Sequence, residues 1–501
     1  MSFGPPPSAY TQSALAADQA RRRRRNRILG GLAGGVLVIA LCAGGLFLSS
    51  AGDDGAPADG KVAAGAQQPD EIRSTVEKAP RSPEGREVVE HSVEHLEKHT
   101  DGNPLYAPGS WATAKIFARG IADHVEGYRI EPHYDEKVWT LDLGGHICAT
   151  SRHVTADGRT AVVIQPPKSA TDPGNGVCDQ VVFFDLDTGR KLWQKKMPAA
   201  DFAYVTNTDL TLTKGVVAVA WGHGSVAYDM KSGKQLWNTT TTAQCADQGF
   251  AGGRALLALA ACGQAPDTTY KVQKLDPRTG KNLWTYRLTR GVSRVYLPSS
   301  DPPVLAVAAG DTQVTDLITL DDQGRHAATV PLKGYDAKCG DRYYGKIFFG
   351  VVENCDGIVV GPTQAYVSSK ENIANGQPGD WIVAFDLKTG KTGGKFDGRD
   401  LQKVYPLRMS GDDLLIYREG AGAVGLAGLV SWNPRTDKET PLLFFELPQD
   451  HEGELSDPER TDILAEEGNI FFGPRELVRD DDSPKDAVLV AVGFGSAGLK
   501  H

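Results

Sequence analysis

The sequence contains no adjacent cysteines and no Cys-x-x-Cys or Cys-x-x-Cys-His spacing, which excludes covalently attached haem and the common dithiol redox motif. It also lacks Gly-x-Ser-x-Gly, His-Glu-x-x-His and a Gly-rich phosphate loop. The local signatures of serine hydrolases, zinc peptidases and P-loop nucleotide hydrolases are therefore missing. Positive charge is scarce beyond the amino end. The first 27 residues hold six Arg and one Asp, a charge of +5; the 501-residue chain carries −9 in all, so the remainder carries −14. That balance excludes a basic nucleic-acid-binding surface, and no nucleic-acid partner is expected. Hydrophobic residues at 40% and charged residues at 23% fit neither wholesale disorder nor a polytopic membrane protein, and 57 Gly with 29 Pro promise many turns.

Charge is wholly absent from Ile28 to Gly52, directly after the run RRRRRNR at 21–27. About 20 apolar residues cover the hydrocarbon core of a bilayer as one helix, and arginines on the amino side alone place that side in the cytoplasm. The reading is a cytoplasmic Pro/Arg-rich tail (1–27), a single-pass transmembrane helix (28–51), a flexible extracytoplasmic linker (52–104), a lead-in segment (105–134) and a β domain (135–498) at the outer side of the cell membrane. A cleaved signal peptide would use Ser49 and Ala51, and a lipoprotein would use Cys42, which follows the bulky Leu41. His91, His95 and His99 fall at i, i+4, i+8 and would share a helix face; interleaved Glu90, Glu94 and Glu97 make it a solvated face rather than a zinc site.

Within the β domain a motif recurs: an apolar run, Asp, two residues, Thr or Ser, Gly, a basic residue, and Trp four after the Gly. It stands at Asp185, Gly189 and Trp193; at Asp229, Gly233 and Trp237; and at Asp276, Gly280 and Trp284. Weaker copies occur at Asp321 and Gly324, at Asp386 and Gly390, and at Asn433 and Asp437. Trp spacings of 44 and 47 are in the range of propeller blades. Asp caps a hairpin turn, Gly supplies its positive φ, and Trp packs between neighbouring sheets. Seven second strands are counted (TAVVIQ, VVAVAW, ALLALAA, VLAVAA, KIFFGVV, LLIY and IFF), and seven third strands end at AVLVAV. The run DEKVWTLDL at 135–143 then supplies the missing outer strand of the last sheet. The expected fold is an all-β propeller of about seven four-stranded blades, closed by its amino-terminal strand.

Motif and spacing resemble the pyrroloquinoline-quinone-type repeats of quinoprotein-like β-propellers, over about residues 135–495. That family includes bacterial alcohol and sugar dehydrogenases and the propeller subunit of the outer-membrane assembly machine, and its members often have eight blades. The basic patch, span and linker resemble the membrane-anchored versions of Gram-positive actinobacteria.

Cys245 and Cys262 lie nearly symmetrically about Gly252-Gly253, Cys339 and Cys355 about Gly345, and Cys148 and Cys178 flank a second strand and its loop. Three bridges within blades are the economical pairing, and they need an oxidising compartment. The resemblance implies that a dehydrogenase member would need an adjacent-cysteine disulfide over the quinone, a Trp floor, and Glu, Asn and Asp ligands for a cation. The cysteine pair is missing, so neither pyrroloquinoline quinone nor calcium is expected. Asp480, Asp481 and Asp482 lack the alternation of a calcium loop. His146 and His153 stand beside a first strand, near where the channel should run. The expected function is a membrane-tethered, non-catalytic binding or scaffold module for a protein or glycan partner in the envelope. The alternative is a quinone-dependent oxidoreductase, and a sensor with a 27-residue cytoplasmic tail comes third.

Overall fold

The computed structural model describes residues 67–496, apart from 94–104, 132–135, 168–175, 241–243, 265–266, 311–312, 344–345, 349–351, 375–376, 400, 422–424 and 479–486. The segment 1–27 read as a cytoplasmic tail, the apolar stretch 28–51, Cys42, His95, His99 and Asp480–Asp482 lie outside the described residues. No helix among the described residues is long and apolar enough to cross a membrane.

Pro69–His501 forms one compact unit, an eight-bladed β-propeller. Seven blades follow chain order, each built from antiparallel neighbours, with the first strand innermost. In blade 3 the strands are Asp209–Thr213, Val216–Ala220, Gly224–Asp229 and Gln235–Thr240. The first two are buried along their whole length and the outermost is mostly exposed. Inner strands are sandwiched between neighbouring blades and so read as continuous apolar runs, while the outer strand meets solvent.

The eighth blade lies in the stretch taken as a lead-in. Blade 1 consists of Ser110–Ala112, Ile116–Ile121, His124–Arg129 and Lys137–Asp142. Residues 135–143 are thus its outer strand and do not close the ring. Closure belongs to Gly85–Val93, from the stretch read as linker, which pairs antiparallel with Val488–Ser496 as the outer strand of blade 8. Both segments escaped the sequence pattern for a physical reason. Blade 1 buries Arg119 and Glu126 in its middle strands and has no Asp-Thr-Gly turn. The closing strand buries only Val88 and Val89, as an outermost strand does. His91 lies on this strand, not on a helix, and its ring packs 4.8 Å from that of Tyr128.

A further correction concerns KIFFGVV. The second strand of blade 6 is Gln364–Ser369, and Lys346–Phe348 pairs with Asp341–Tyr343 in a side hairpin. The remaining second and third strands fall where the repeat puts them.

The repeat motif stitches blades together. Asp185 Oδ1 accepts the Thr188 N–H at 2.9 Å and its hydroxyl at 2.7 Å, and Asp229, Asp276 and Asp386 cap their turns in the same way. Each Trp then reaches the turn of the next blade: Trp193 Nε1 donates to Met230 O at 2.8 Å and Trp237 Nε1 to Pro277 O at 2.8 Å. The indole lies over the turn glycine. At Gly233, φ is 64°, and a Cβ would stand 2.9 Å from Trp193 Cγ, so both the turn and the neighbouring blade require Gly. Trp139 covers Gly189 and Trp284 covers Gly324 in the same fashion.

The three disulfides are Cys148–Cys178, Cys245–Cys262 and Cys339–Cys355. Each joins residues of a single blade.

Candidate functional site in the central channel

First strands line the channel of a propeller, so its chemistry depends on them and on whatever loop enters. Blade 6 sends one in. Between Tyr335–Asp336 and Ile358–Val360 it carries an insertion pinned by Cys339–Cys355, and the returning stretch Val352–Asp356 plugs the channel. The Leu297 N–H of blade 5 donates to Val352 O at 2.6 Å. Val352 N–H donates to Asp209 Oδ2 of blade 3 at 2.9 Å. The carboxylate of Glu353 meets His153 Nε2 at 3.0 Å and accepts from Thr211 Oγ1 at 2.9 Å and from the Gly252 N–H at 2.5 Å. One side chain therefore ties blade 6 to blades 2, 3 and 4.

Beyond Glu353 the charges form a chain. Arg152 donates to Glu353 O at 3.1 Å and to Asp356 Oδ1 at 3.3 Å; Arg475 bridges Asp356 Oδ2 at 3.0 Å and Asp462 Oδ1 at 2.7 Å. Asp462 Oδ2 accepts from Ser110 Oγ at 2.9 Å and from Arg119 at 3.4 Å. Arg119 is fully buried and also donates to Ala107 O, Gly109 O and Pro474 O. A buried charge is tolerated only when paired and hydrogen-bonded, and here the pairing joins blades 1, 2 and 8 through the plug.

The electrostatics follow from these partners. Burial raises the Asp462 carboxyl, but Arg475 and Arg119 outweigh it and hold it below the usual range. Burial likewise opposes ionisation of Glu353, and its contact with His153 and the donors of Gly252 and Thr211 win. Asp209 shows the reverse: burial and the nearby Glu353 push it well above the ordinary value despite the N–H groups of Val352 and Phe250.

One rim of the channel is covered by the segment Pro69–Glu77. Ala156 N–H donates to Glu71 O at 2.8 Å, and Arg73 N–H donates to Val154 O at 2.8 Å. The Arg73 guanidinium pairs with Glu466 at 2.8 Å and Glu467 at 2.9 Å. Glu77 is held by Arg408 and by the Gly468 N–H at 2.6 Å. This strap crosses the turns that join first to second strands in blades 2, 7 and 8. Between plug, strap and the first strands of blades 1, 2, 3, 7 and 8 remains a cavity of about 410 Å³, lined by Trp111, Arg152, Tyr405 and Ile463 among others.

Of the two histidines singled out from sequence, His153 is in the channel, on Glu353, and His146 is exposed at the start of its strand. The motif residues Asp185, Asp229, Asp276 and Asp386 occupy turns, away from the cavity. Sequence reasoning missed Glu353, Asp209, Arg152, Asp356, Asp462 and Arg475. The one signal was the Cys339–Cys355 pair that brackets the plug, and its separation of 16, against 17 for Cys245–Cys262, did not mark an insertion.

Residues 115–254 match the family model described as outer membrane protein assembly factor BamB. The repeats are of the pyrroloquinoline-quinone-like propeller type. No curated protein matches the sequence. Among solved structures, BamB from Moraxella catarrhalis is 13% identical with a TM-score of 0.42, covering 78% of this chain and 99% of its own. A europium-containing methanol dehydrogenase is 12% identical, TM-score 0.45, covering 84% of this chain and 96% of its own. The quinohemoprotein alcohol dehydrogenase from Comamonas testosteroni is 10% identical, TM-score 0.45, covering 85% and 79%.

Proposed function

We propose that this chain is a membrane-tethered, extracytoplasmic propeller that acts as a non-catalytic binding or scaffold module for a protein or glycan partner of the cell envelope. The observation that carries the reading is the plug. Val352–Asp356 takes the place in the channel where a small molecule would sit, and Glu353, Asp356 and Asp462 are each engaged by groups of the same chain. The channel residues do not fit a quinone with its cation: no group of three or more His, Cys, Asp or Glu among the described residues is placed to hold a metal ion. No adjacent-cysteine disulfide exists to cover such a ring.

A closed ring still offers its faces to a partner. The face that joins fourth to first strands and second to third strands is the one free of the strap, and exposed Phe202, Tyr204, Leu401, Leu426 and Val478 lie there. Large apolar side chains concentrated on one face mark interaction surfaces. The quinone-dependent oxidoreductase has the cavity of about 410 Å³ in its favour, a volume suited to a small ligand, and the filled channel against it.

Calorimetry of the purified full-length chain with pyrroloquinoline quinone and calcium tests the reading. No binding heat is expected. Submicromolar binding, or reduction of an artificial acceptor by alcohols above a heat-killed control, would put the enzyme first. A reporter fused after His501 and active only in the cytoplasm would overturn the topology.

A further inference from the structure

After residue 27 the chain carries −14, yet one of its hairpins is cationic. In blade 4 the third strand Thr269–Leu275, the fourth strand Asn282–Arg287 and the turn between them hold Lys271, Lys274, Arg278, Lys281 and Arg287 against a single acid, Asp276. The corresponding span carries an excess of two cations in blade 2 and of one or fewer in every other blade. Arg278 pairs with Asp229 of blade 3 at 3.0 Å, whereas no described carboxylate pairs with Lys271 or Arg287. Those two are direct partners in the strand register. The Leu288 N–H donates to Tyr270 O at 2.9 Å, which makes Lys271 and Arg287 a non-hydrogen-bonded pair. Cross-strand side chains come closest in such a pair, with Cα atoms about 4.5 Å apart. Like charges directly opposite weaken a sheet, and no described group offsets this pair.

The pair is also open to a ligand. In blades 3, 6 and 7 the third strand is buried along all but its ends, but in blade 4 only Val272 of that strand is buried. On the face that carries Lys271 and Arg287 the next cross-strand pair is Gln273 and Thr285. Thr285 Oγ1 accepts from Gln273 Nε2 at 3.3 Å and from Asn282 Nδ2 at 2.9 Å, so its own O–H is left to donate. Lys271, Arg287 and Thr285 thus present donors alone. Asn282–Arg287 is in addition the outermost strand of its sheet, with Thr285 and Arg287 exposed. At these non-hydrogen-bonded positions the backbone N–H and C=O point outward, as an unpaired edge.

We infer that the outer edge of blade 4 is the docking site of an acidic protein segment, which adds to Asn282–Arg287 as a further strand with its carboxylates over Arg287 and Lys271. Side chains of a strand alternate between faces, so acids at every second residue share the cationic one. An added strand lies about 5 Å from Arg287 and about 10 Å from the strand of Lys271, a gap that a Lys and a Glu side chain close between them. Main-chain pairing along the edge selects a polypeptide over an anionic glycan, which has no N–H and C=O at strand spacing. Exposed ion pairs are individually weak, so the affinity falls as salt rises.

This inference rests on the binding-module reading and deepens it. The test is fluorescence anisotropy of the full-length chain at low salt with a dye-labelled Thr-Glu-Val-Glu-Val-Glu-amide peptide. Two comparison peptides carry Gln in place of Glu, or Glu with its backbone nitrogens methylated. The Glu peptide should bind about tenfold tighter than the Gln peptide, the order of two or three exposed ion pairs. Methylation keeps the charge and removes the strand donors, and should cost at least about threefold. Lys271→Gln and Arg287→Gln should each weaken the Glu peptide about threefold, and Lys271→Gln should melt no lower than the natural chain because it relieves the like-charge contact. Lys231→Gln, on a turn of blade 3, should change nothing. The three peptides need no altered protein, so a variant that fails to fold does not spoil the result. Equal affinity for the Glu and Gln peptides overturns the site, and so does undiminished binding of the methylated peptide, which is what the Arg run at 21–27 alone would give. An equal loss from Lys231→Gln and Arg287→Gln overturns it too. Each of these outcomes leaves the scaffold reading standing, since that falls only if the quinone binds.

Discussion

Blades 2–5 and blades 6–8 hold together by different means. In blades 2–5 a Trp from the preceding outer strand covers each successive turn glycine, from Trp139 on Gly189 to Trp284 on Gly324. After blade 5 the indole is gone: Gly390 faces Thr329 O and Ala328 instead. Blades 7 and 8 are joined by an aromatic cluster, Tyr405, Tyr417, Phe445, Phe472 and Phe494, with Phe445 and Phe494 stacked at 4.6 Å. The ring is completed there by distant chain, the strap and the strand Gly85–Val93. The periodic half is stabilised by a contact that repeats, and a repeating contact leaves side chains little freedom to diverge. The irregular half is stabilised by contacts made once, and it carries the plug and the strap anchors on blades 7 and 8.

The sharpest way to break this contrast is to remove the distant chain. Deleting 69–93 strips the outer strand from blade 8 and uncovers the edge of Val488–Ser496, so the propeller should lose cooperative unfolding and aggregate. Circular dichroism melts would show it, and a melt unchanged from the full chain would show that the ring closes without this strand. Deleting 52–66 should leave the melt where it was.

In the periodic half, Trp193→Ala should cost about 3 kcal/mol of unfolding free energy, because the indole is 9% exposed and wedged between blades. Gly233→Ala should cost about 1–2 kcal/mol for its positive φ and its clash with that indole. The double variant should cost less than the sum, since removal of the indole relieves the clash. Strict additivity in denaturant titrations would mean that the stitch does not couple the blades.

The smallest effect belongs to the irregular half and depends on pH. Asp380 has its carboxyl at about 7 in the fold against an ordinary 3.8, so the folded state holds a proton that the unfolded chain gives up. Stability from this group is therefore lost as pH rises from about 4 to about 7, and below that window it has no effect. Asp380→Asn, which retains an acceptor for the Val404 N–H, should stabilise by about 2 kcal/mol at pH 8 and by nothing at pH 4. The same gain at both pH values would show that the carboxyl titrates normally.

The legible and illegible parts divide along the same line. The turns at Asp185, Asp229 and Asp276, their glycines and tryptophans, and the three disulfides follow from spacing within one blade, which is local information. Blade 1 was missed because Arg119 and Glu126 interrupt its apolar pattern; Glu126 is held locally by Tyr128 and Lys137, but Arg119 depends on Asp462 and Pro474 O, 343 and 355 residues away. Nothing in IFARGI announces those partners. His153 was flagged near the channel, yet its partner Glu353 lies 200 residues on, in a loop that the sequence marked only by its cysteines.

By itself the sequence determined the repeat and therefore the fold class. A hairpin turn, its capping Asp, its positive-φ Gly and the indole that covers it are set by side chains a few residues apart, and their recurrence dictates a ring of sheets. Only the tertiary structure decided that the ring has eight blades, which strand closes it, and what fills its channel. Those outcomes depend on pairing between residues hundreds of positions apart, where burial of a charge or an edge is favourable only once its partner has been brought beside it.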